Sequence, residues 1–242
     1  MAAEKHEFPL PLSINTGTSI LTPTINVQNE NNLYTIRYRW MIQGQGELAR
    51  YVSYPYNNEY LGSDEIIAID IAINYMNPAK PNIGLYAFYS RLAIDSKAYE
   101  LATPQERTAI KGLGYSSLCY ILRLIIHNNI ISPQHIIYLT ASPNTFKKYN
   151  DIDVPQPTKD YLLDLIQKTY KLDAESTVEI LNDILANLSA MTALVNFYIL
   201  LGFETNDNTK SVAEHMILDK GGGSVSMHAT LSKVIERCDT IR

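Results

Sequence analysis

The 242-residue chain has little cysteine and no surplus of positive charge. Its two cysteines, Cys119 and Cys238, are too few for the disulfide framework of a small secreted domain. Cys119 lies in an apolar segment with helical spacing, so we predict a buried thiol there and no disulfide framework. A formal charge of -5 and a pI near 5.5 argue against a nucleic-acid surface as the main function, because such a surface needs a basic patch.

The chain also lacks an uninterrupted apolar run that could span a membrane, since Arg123 divides the most apolar segment, 120–126. Its first residues do not place an apolar core after a charged start. We therefore expect a soluble, cytoplasmic protein without a membrane partner. The histidines show no metal-ligand spacing and there is no Gly-x-Ser-x-Gly motif, so we expect no metal cofactor and no serine nucleophile of that type.

What the chain does contain is apolar residues at the spacing of strands and of helices. Tyr34, Ile36, Tyr38 and Trp40 alternate with polar residues, which predicts a strand starting at Leu33. Further strands are predicted at 65–75, 83–94, 98–102 and 135–140. Leu118, Ile121, Leu122 and Ile125 recur at helical spacing and predict a helix over 113–127.

The two ends and the middle of the chain have different patterns. Residues 1–32 contain three prolines and no helical period, so we predict an irregular arm followed by one domain, 33–242. Amphipathic segments at 158–170 and 175–188 predict a helical insertion of about 145–190, serving as a stabilising addition, a lid or a dimer contact. Segments 212–218 and 224–234, on either side of three glycines, predict a closing hairpin.

A glycine-rich turn precedes the helix predicted at 113–127. It contains Lys111, Gly112, Leu113, Gly114, Ser116 and Ser117. Backbone N–H groups in the first turn of a helix lack internal partners and bind anions, and glycine allows a ligand to approach. The turn therefore predicts a phosphate site, although the same glycines suit any tight turn before a helix.

A second motif strengthens the phosphate interpretation: Asn196-Phe197-Tyr198 is followed by Gly202-Phe203. Together the two motifs resemble those of the GNAT superfamily of N-acetyltransferases. That family's coenzyme A loop reads Arg or Gln, two residues, Gly, one residue, then Gly or Ala. Lys111, Gly114 and Ser116 occupy these places, and the lysine and the serine depart from the strict pattern.

The resemblance implies an α/β fold with a mixed, mostly antiparallel central sheet and helices on both faces. It implies that acetyl-coenzyme A is the co-substrate. Its binding would involve Leu101 and Ala102 on the strand before the loop, Asn196, and Lys111, Gly112, Leu113, Gly114, Ser116 and Ser117. Tyr198 would protonate the departing thiolate, and Glu100 or a chain of water molecules would accept the proton of the amine.

We therefore expect an acetyl-coenzyme A-dependent N-acetyltransferase that acts on a small-molecule or peptide amine. We expect no metal and no nucleic-acid partner, and a homodimer is a possible assembly. The imperfect loop supports an alternative, an inactive module that acts through the helical insertion. A dinucleotide-binding oxidoreductase is the weaker alternative, because Gly112 and Gly114 lack the third glycine of that motif.

Overall fold

The computed structural model describes residues 8–55, 61–77, 81–142, 152–219 and 223–240. Within these ranges the fold is mixed α/β, with eight mostly antiparallel strands and nine helices. The elements, in chain order, are β1 (Ile14–Asn15), β2 (Ser19–Glu30), β3 (Leu33–Gly44), α1 (Glu47–Val52), β4 (Glu65–Asn74), β5 (Asn82–Ser90), α2 (Arg91–Ile94), α3 (Ser96–Leu101), α4 (Pro104–Ile110), α5 (Leu113–His127), β6 (Ile136–Ala141), α6 (Gln156–Tyr170), α7 (Ala174–Leu200), β7 (Glu204–Thr205), α8 (Val212–Leu218), β8 (Val225–Thr230) and α9 (Leu231–Thr240).

The chain divides into two compact units. Unit 1 comprises Met1–Ile137 and Thr230–Arg242, and unit 2 is Tyr138–Ala229. Strands β1 to β5 lie side by side in that order in unit 1 and pair antiparallel. In unit 2, β8 lies between β6 and β7 and pairs antiparallel with β7.

The predicted irregular arm is wrong for residues 19–30, which form the twelve-residue strand β2. β2 pairs with β3 along its whole length, from Ser19 opposite Gly44 to Glu30 opposite Leu33. The two strands are joined by Asn31 and Asn32, both with positive φ (50° and 65°). Asparagine tolerates this backbone, and a two-residue turn of this kind matches the twist of a hairpin.

The predicted strands at Leu33 and at 65–75 are confirmed as β3 and β4. On one face of β3, Tyr38 and Trp40 are buried, and the Trp40 Nε1–H donates to the Ser117 hydroxyl of α5 at 2.7 Å. On the opposite face, Ala68 of β4 packs with Leu61 and Ile94. Helices therefore cover both faces of the unit 1 sheet, as expected.

The strand predicted over 83–94 ends at Ser90, and the strand predicted over 98–102 is helix α3. The cause is Asp95, whose carboxylate accepts hydrogen bonds from the backbone N–H groups of Lys97 and Ala98 and so caps α3. Asp95 also binds the Arg91 Nε at 3.0 Å, and both side chains are buried. The apolar spacing alone did not distinguish these short helices from strands.

The cysteine prediction is wrong: Cys119 and Cys238 form a disulfide that joins α5 to α9, with an S–S distance of 2.01 Å. The same two helices are connected by an ion pair between Arg123 and Asp239 at 2.6 Å. Disulfides persist mainly in oxidising surroundings. The cytoplasmic location stays a prediction that the redox state of this pair can test.

In unit 2, the helical insertion is present but is not a separate element. The predicted helix at 158–170 is α6, and the one at 175–188 is continuous with the segment that contains Phe197 and Tyr198, forming the 27-residue α7. Asp173 caps α7 by accepting from the Ser176 N–H. The closing hairpin is wrong, because 212–218 is helix α8 and the chain after β8 continues as α9; Gly221 and Gly222 lie outside the described residues.

Two helical stretches, Pro104–His127 and Ala174–Leu200, have the length and the apolar composition needed to cross a membrane. The sequence had led us to expect no such stretch. The first consists of α4 and α5, separated by a turn at Lys111 and Gly112, and half of its apolar window is buried. In the second, 28% of the apolar window is buried. Core helices of globular domains also meet the criteria of length and composition.

Candidate functional site

The candidate site in unit 1 is the turn between α4 and α5. Helix α4 ends at Ile110, and its C-cap is Lys111, whose side chain is exposed. Gly112 has φ 77° and ψ -10°, a left-handed conformation that favours glycine because other side chains would crowd the backbone. Helix α5 then starts at Leu113, and no side chain caps its N-terminus.

The first turn of α5 presents backbone donors. The first hydrogen bond of the helix runs from the Ser116 N–H to the Gly112 carbonyl oxygen at 2.9 Å. The N–H groups of Leu113, Gly114 and Tyr115 precede it, so helix geometry gives them no acceptor within α5. With the helix dipole behind them, these donors favour an anion at this end of α5.

The two serines of the turn have other partners. The Ser117 hydroxyl is buried and accepts the Trp40 Nε1–H, so its predicted role in holding a phosphate is wrong. Ser116 is exposed, and its hydroxyl donates to the Leu113 carbonyl oxygen at 3.1 Å. The backbone of the turn, rather than its hydroxyl groups, therefore provides the donors.

The packing of α5 against β5 explains why a glycine occupies position 114. A Cβ placed there would lie 3.2 Å and 3.5 Å from two ring carbons of Phe88 on β5. The missing side chain lets α5 approach this strand closely. The glycine at this position is thus explained by packing, and it cannot by itself be taken as evidence of a ligand.

The residues predicted on a strand before the loop lie on a helix instead. Leu101 is the last residue of α3 and Ala102 is its C-cap, whose N–H bonds to the Ala98 carbonyl oxygen. Neither backbone is extended along a strand edge, so the proposed pantetheine contact through such an edge is wrong. Glu100 is exposed on α3, where it pairs with Lys97 at 3.6 Å.

The second motif lies in unit 2, at the end of α7. Tyr198 is 7% exposed, and its ring meets the rings of Phe197 and Phe203 edge to face, with centroids 5.3 Å and 5.8 Å away. Gly202, at φ 90°, ends the helix in a left-handed turn in which the Phe203 N–H donates to the Tyr198 carbonyl oxygen. Asn196 is exposed.

The sequence interpretation missed a buried acidic group in unit 1. Glu106 of α4 is 1% exposed and accepts hydrogen bonds from the Ser19 and Thr18 hydroxyls at 2.6 Å and 3.0 Å. It also accepts the Thr103 N–H in a capping box. Burial raises the pKa of Glu106, but these hydrogen bonds outweigh it and the pKa is lower than usual. The Thr-x-x-Glu pattern was the available signal.

Another polar cluster lies between β3 and β4. Arg39 donates to both carboxylate oxygens of Asp70, at 2.6 Å and 3.2 Å, and to Glu65 at 3.1 Å. All three side chains are less than a quarter exposed. One guanidinium of β3 thus pairs with two carboxylates of β4, which holds the two strands together and leaves the cluster with one excess negative charge.

No group of three or more His, Cys, Asp or Glu side chains in the described ranges is placed to hold a metal ion. The histidines of unit 2 are engaged with neighbouring groups instead. The His215 Nε2 lies 2.9 Å from the Asp207 carbonyl oxygen, and the His228 Nε2 lies 3.6 Å from Glu204.

Comparisons with protein family models, with curated proteins and with solved structures find no match to this chain. Any proposal about its function therefore depends on the residues and geometry described above.

Proposed function

We propose that the chain binds acetyl-coenzyme A through the N-terminus of α5 and transfers the acetyl group directly to a primary amine. The observation that carries this proposal is the left-handed Gly112, which begins a fifteen-residue helix whose first turn has no side-chain cap. The exposed Lys111 adds a positive charge beside these donors. A pyrophosphate is a ligand that such a turn favours.

In this proposal, the N–H groups of Leu113, Gly114 and Tyr115 bind the pyrophosphate of the donor. The amine attacks the thioester carbonyl carbon, a C–N bond forms and the C–S bond breaks. The thiolate takes up a proton to complete the reaction, and the GNAT resemblance suggests the Tyr198 hydroxyl as its source. Glu100 lacks the strand position on which its role was based, so water accepts the proton of the amine.

Calorimetric titration of acetyl-coenzyme A tests the binding step. We expect micromolar binding by the wild-type protein and a loss of about tenfold in Lys111→Glu, since a carboxylate would then lie beside the anion. Lys171→Glu, in the other unit, is the matched control, because Lys171 is also an exposed lysine at a helix C-cap. Gly114→Asp is a poor variant here, since its side chain would also strike Phe88.

A second assay separates binding from catalysis. Tyr198→Phe removes one hydroxyl and keeps the aromatic packing, so donor affinity should be unchanged while the release of coenzyme A in the presence of amines falls. A folded wild-type protein that does not bind the donor would refute the proposal. The alternative, an inactive module that binds a partner, would then be tested on the surface of α6 and α7. Tyr161 and Val178 on that surface are about half exposed.

A further inference from the structure

Unit 2 contains a cavity of about 310 Å³ between α6, α7 and α8. Its apolar walls are formed by Tyr170, Ile180, Ile184 and Met216. The volume lies at the lower end of the range of small-molecule sites, roughly 300–1,000 Å³. None of these residues belongs to the turn or to the Phe-Tyr motif described above.

The walls of the cavity are held in place by the core of unit 2. Ile184 is 3% exposed and Met216 is 1% exposed, so neither can move into the cavity without leaving its own packing. The Tyr170 hydroxyl donates to the Ile217 carbonyl oxygen at 2.5 Å, which fixes the ring. The cavity is therefore preformed.

Gly223 and two polar residues complete the lining. Asp183 and Asn187 are about one turn apart on α7 and are both exposed. The Asn187 Nδ2 donates to the Asp183 carbonyl oxygen at 2.9 Å, which fixes the amide and leaves its Oδ1 as an acceptor. In the part of the chain that the structure describes, the Asp183 carboxylate forms no hydrogen bond or ion pair, and no other charged residue lines the cavity.

We infer that this cavity binds an organic ammonium ion with an apolar body. The body fills the space between Ile180, Ile184 and Met216, where its burial is favourable. The ammonium group is placed at the polar side, where Asp183 supplies a negative charge and Asn187 an acceptor. An anionic ligand of the same shape is repelled by the carboxylate, and a neutral one lacks the charge interaction.

The aromatic wall adds to this selectivity. Tyr170 presents a fixed ring in the cavity, and a cation near such a ring is attracted by the negative face of its π-system. Carboxylate, amide oxygen and ring together favour a positive charge over any other ligand charge. The inference concerns unit 2 alone and does not depend on acetyl-coenzyme A binding.

Three probes of similar size test the inference by titration calorimetry: 2-phenylethylamine, 2-phenylethanol and phenylacetate. We expect the amine to bind at least threefold more tightly than the alcohol, and phenylacetate to bind most weakly. Equal affinity for the amine and the alcohol, or no binding of the amine by the folded protein, would overturn the inference.

Variants then test whether Asp183 supplies the negative charge that binds the ammonium group. Asp183→Asn should lower the affinity for the amine by about three- to tenfold, to the level of the alcohol, and leave the alcohol unchanged. Glu175→Gln, which removes an exposed carboxylate elsewhere on α7, is the matched control. Ile180→Trp, at a half-buried position, should fill the cavity and weaken both ligands. If Asp183→Asn binds the amine as tightly as the wild-type protein, the assignment of the charge is wrong.

Discussion

Removal of the disulfide between α5 and α9 should lower the free energy of unfolding of unit 1 by about 3–5 kcal/mol. The two cysteines are separated by 119 residues, so the bond closes a long loop in the unfolded chain. Chain entropy alone gives about 5 kcal/mol for a loop of this length, and residual compactness of the unfolded chain reduces that value. The test variant is Cys119→Ala with Cys238→Ala, because alanine leaves no buried hydroxyl group at these two buried positions.

The chain has a built-in reporter for this experiment. Trp40 is its one tryptophan and lies in unit 1, where its indole N–H reaches α5. Urea unfolding followed by tryptophan fluorescence therefore measures unit 1, even where unit 2 unfolds at another urea concentration.

Two controls make the result interpretable. Arg123→Ala removes the exposed ion pair between the same two helices and should cost less than about 1 kcal/mol. A phosphine reductant should destabilise the wild-type protein and leave the double alanine variant unchanged. The reasoning would be refuted if the double alanine variant lost less than about 1 kcal/mol of unfolding free energy, or if the reductant did not destabilise the wild-type protein.

Four other substitutions, at three positions, test two polar contacts and the backbone of the turn at Gly112 in unit 1. Because the folded-state pKa of Glu106 is lowered, its stabilisation is present above the unfolded value of about 4.3 and is lost as the pH falls further; Glu106→Gln should reduce this acid dependence of urea unfolding. Asp95→Ala removes the partner of a buried arginine and the cap of α3, and should cost about 3 kcal/mol in the same assay. Gly112→Val should lower the melting temperature more than Gly112→Asn, since asparagine tolerates a left-handed backbone; equal melting temperatures would contradict this.

Long elements with a clear period were predictable from the sequence. The alternation from Tyr34 to Trp40 gave β3, and the helical spacing from Leu118 to Ile125 gave α5 with the observed bounds. In both, local pattern and tertiary burial agree, because the same apolar face that sets the period packs into the core.

β2 was missed because Pro23 and many polar residues conceal its alternation. Leu21, Ile25 and Val27 do alternate with polar neighbours, and Pro23 fits because β1 pairs only with Ile20 and Leu21. Proline is tolerated on such an edge when its nitrogen faces away from the neighbouring strand. The Asn31-Asn32 turn was the available sign of a hairpin.

The short helices of both units were missed for a different reason. α8 begins with a capping box in which Ser211 and Glu214 satisfy each other's backbone, and α4 begins with the same pattern at Thr103 and Glu106. Seven residues are too few for an apolar period to distinguish helix from strand, whereas a cap marks a helix start at any length. The caps were therefore the better evidence.

The candidate site is now narrower than its motifs suggested. Packing against Phe88 explains Gly114, a hydrogen bond to Trp40 explains Ser117, and the end of α7 explains Gly202. These residues would be selected in this fold with or without a ligand. Lys111 is different, since it is exposed and its ammonium group forms no hydrogen bond or ion pair within the part of the chain that the structure describes. A change of its charge therefore perturbs a bound anion without perturbing the fold, which makes Lys111 the position where the proposed function can fail on its own.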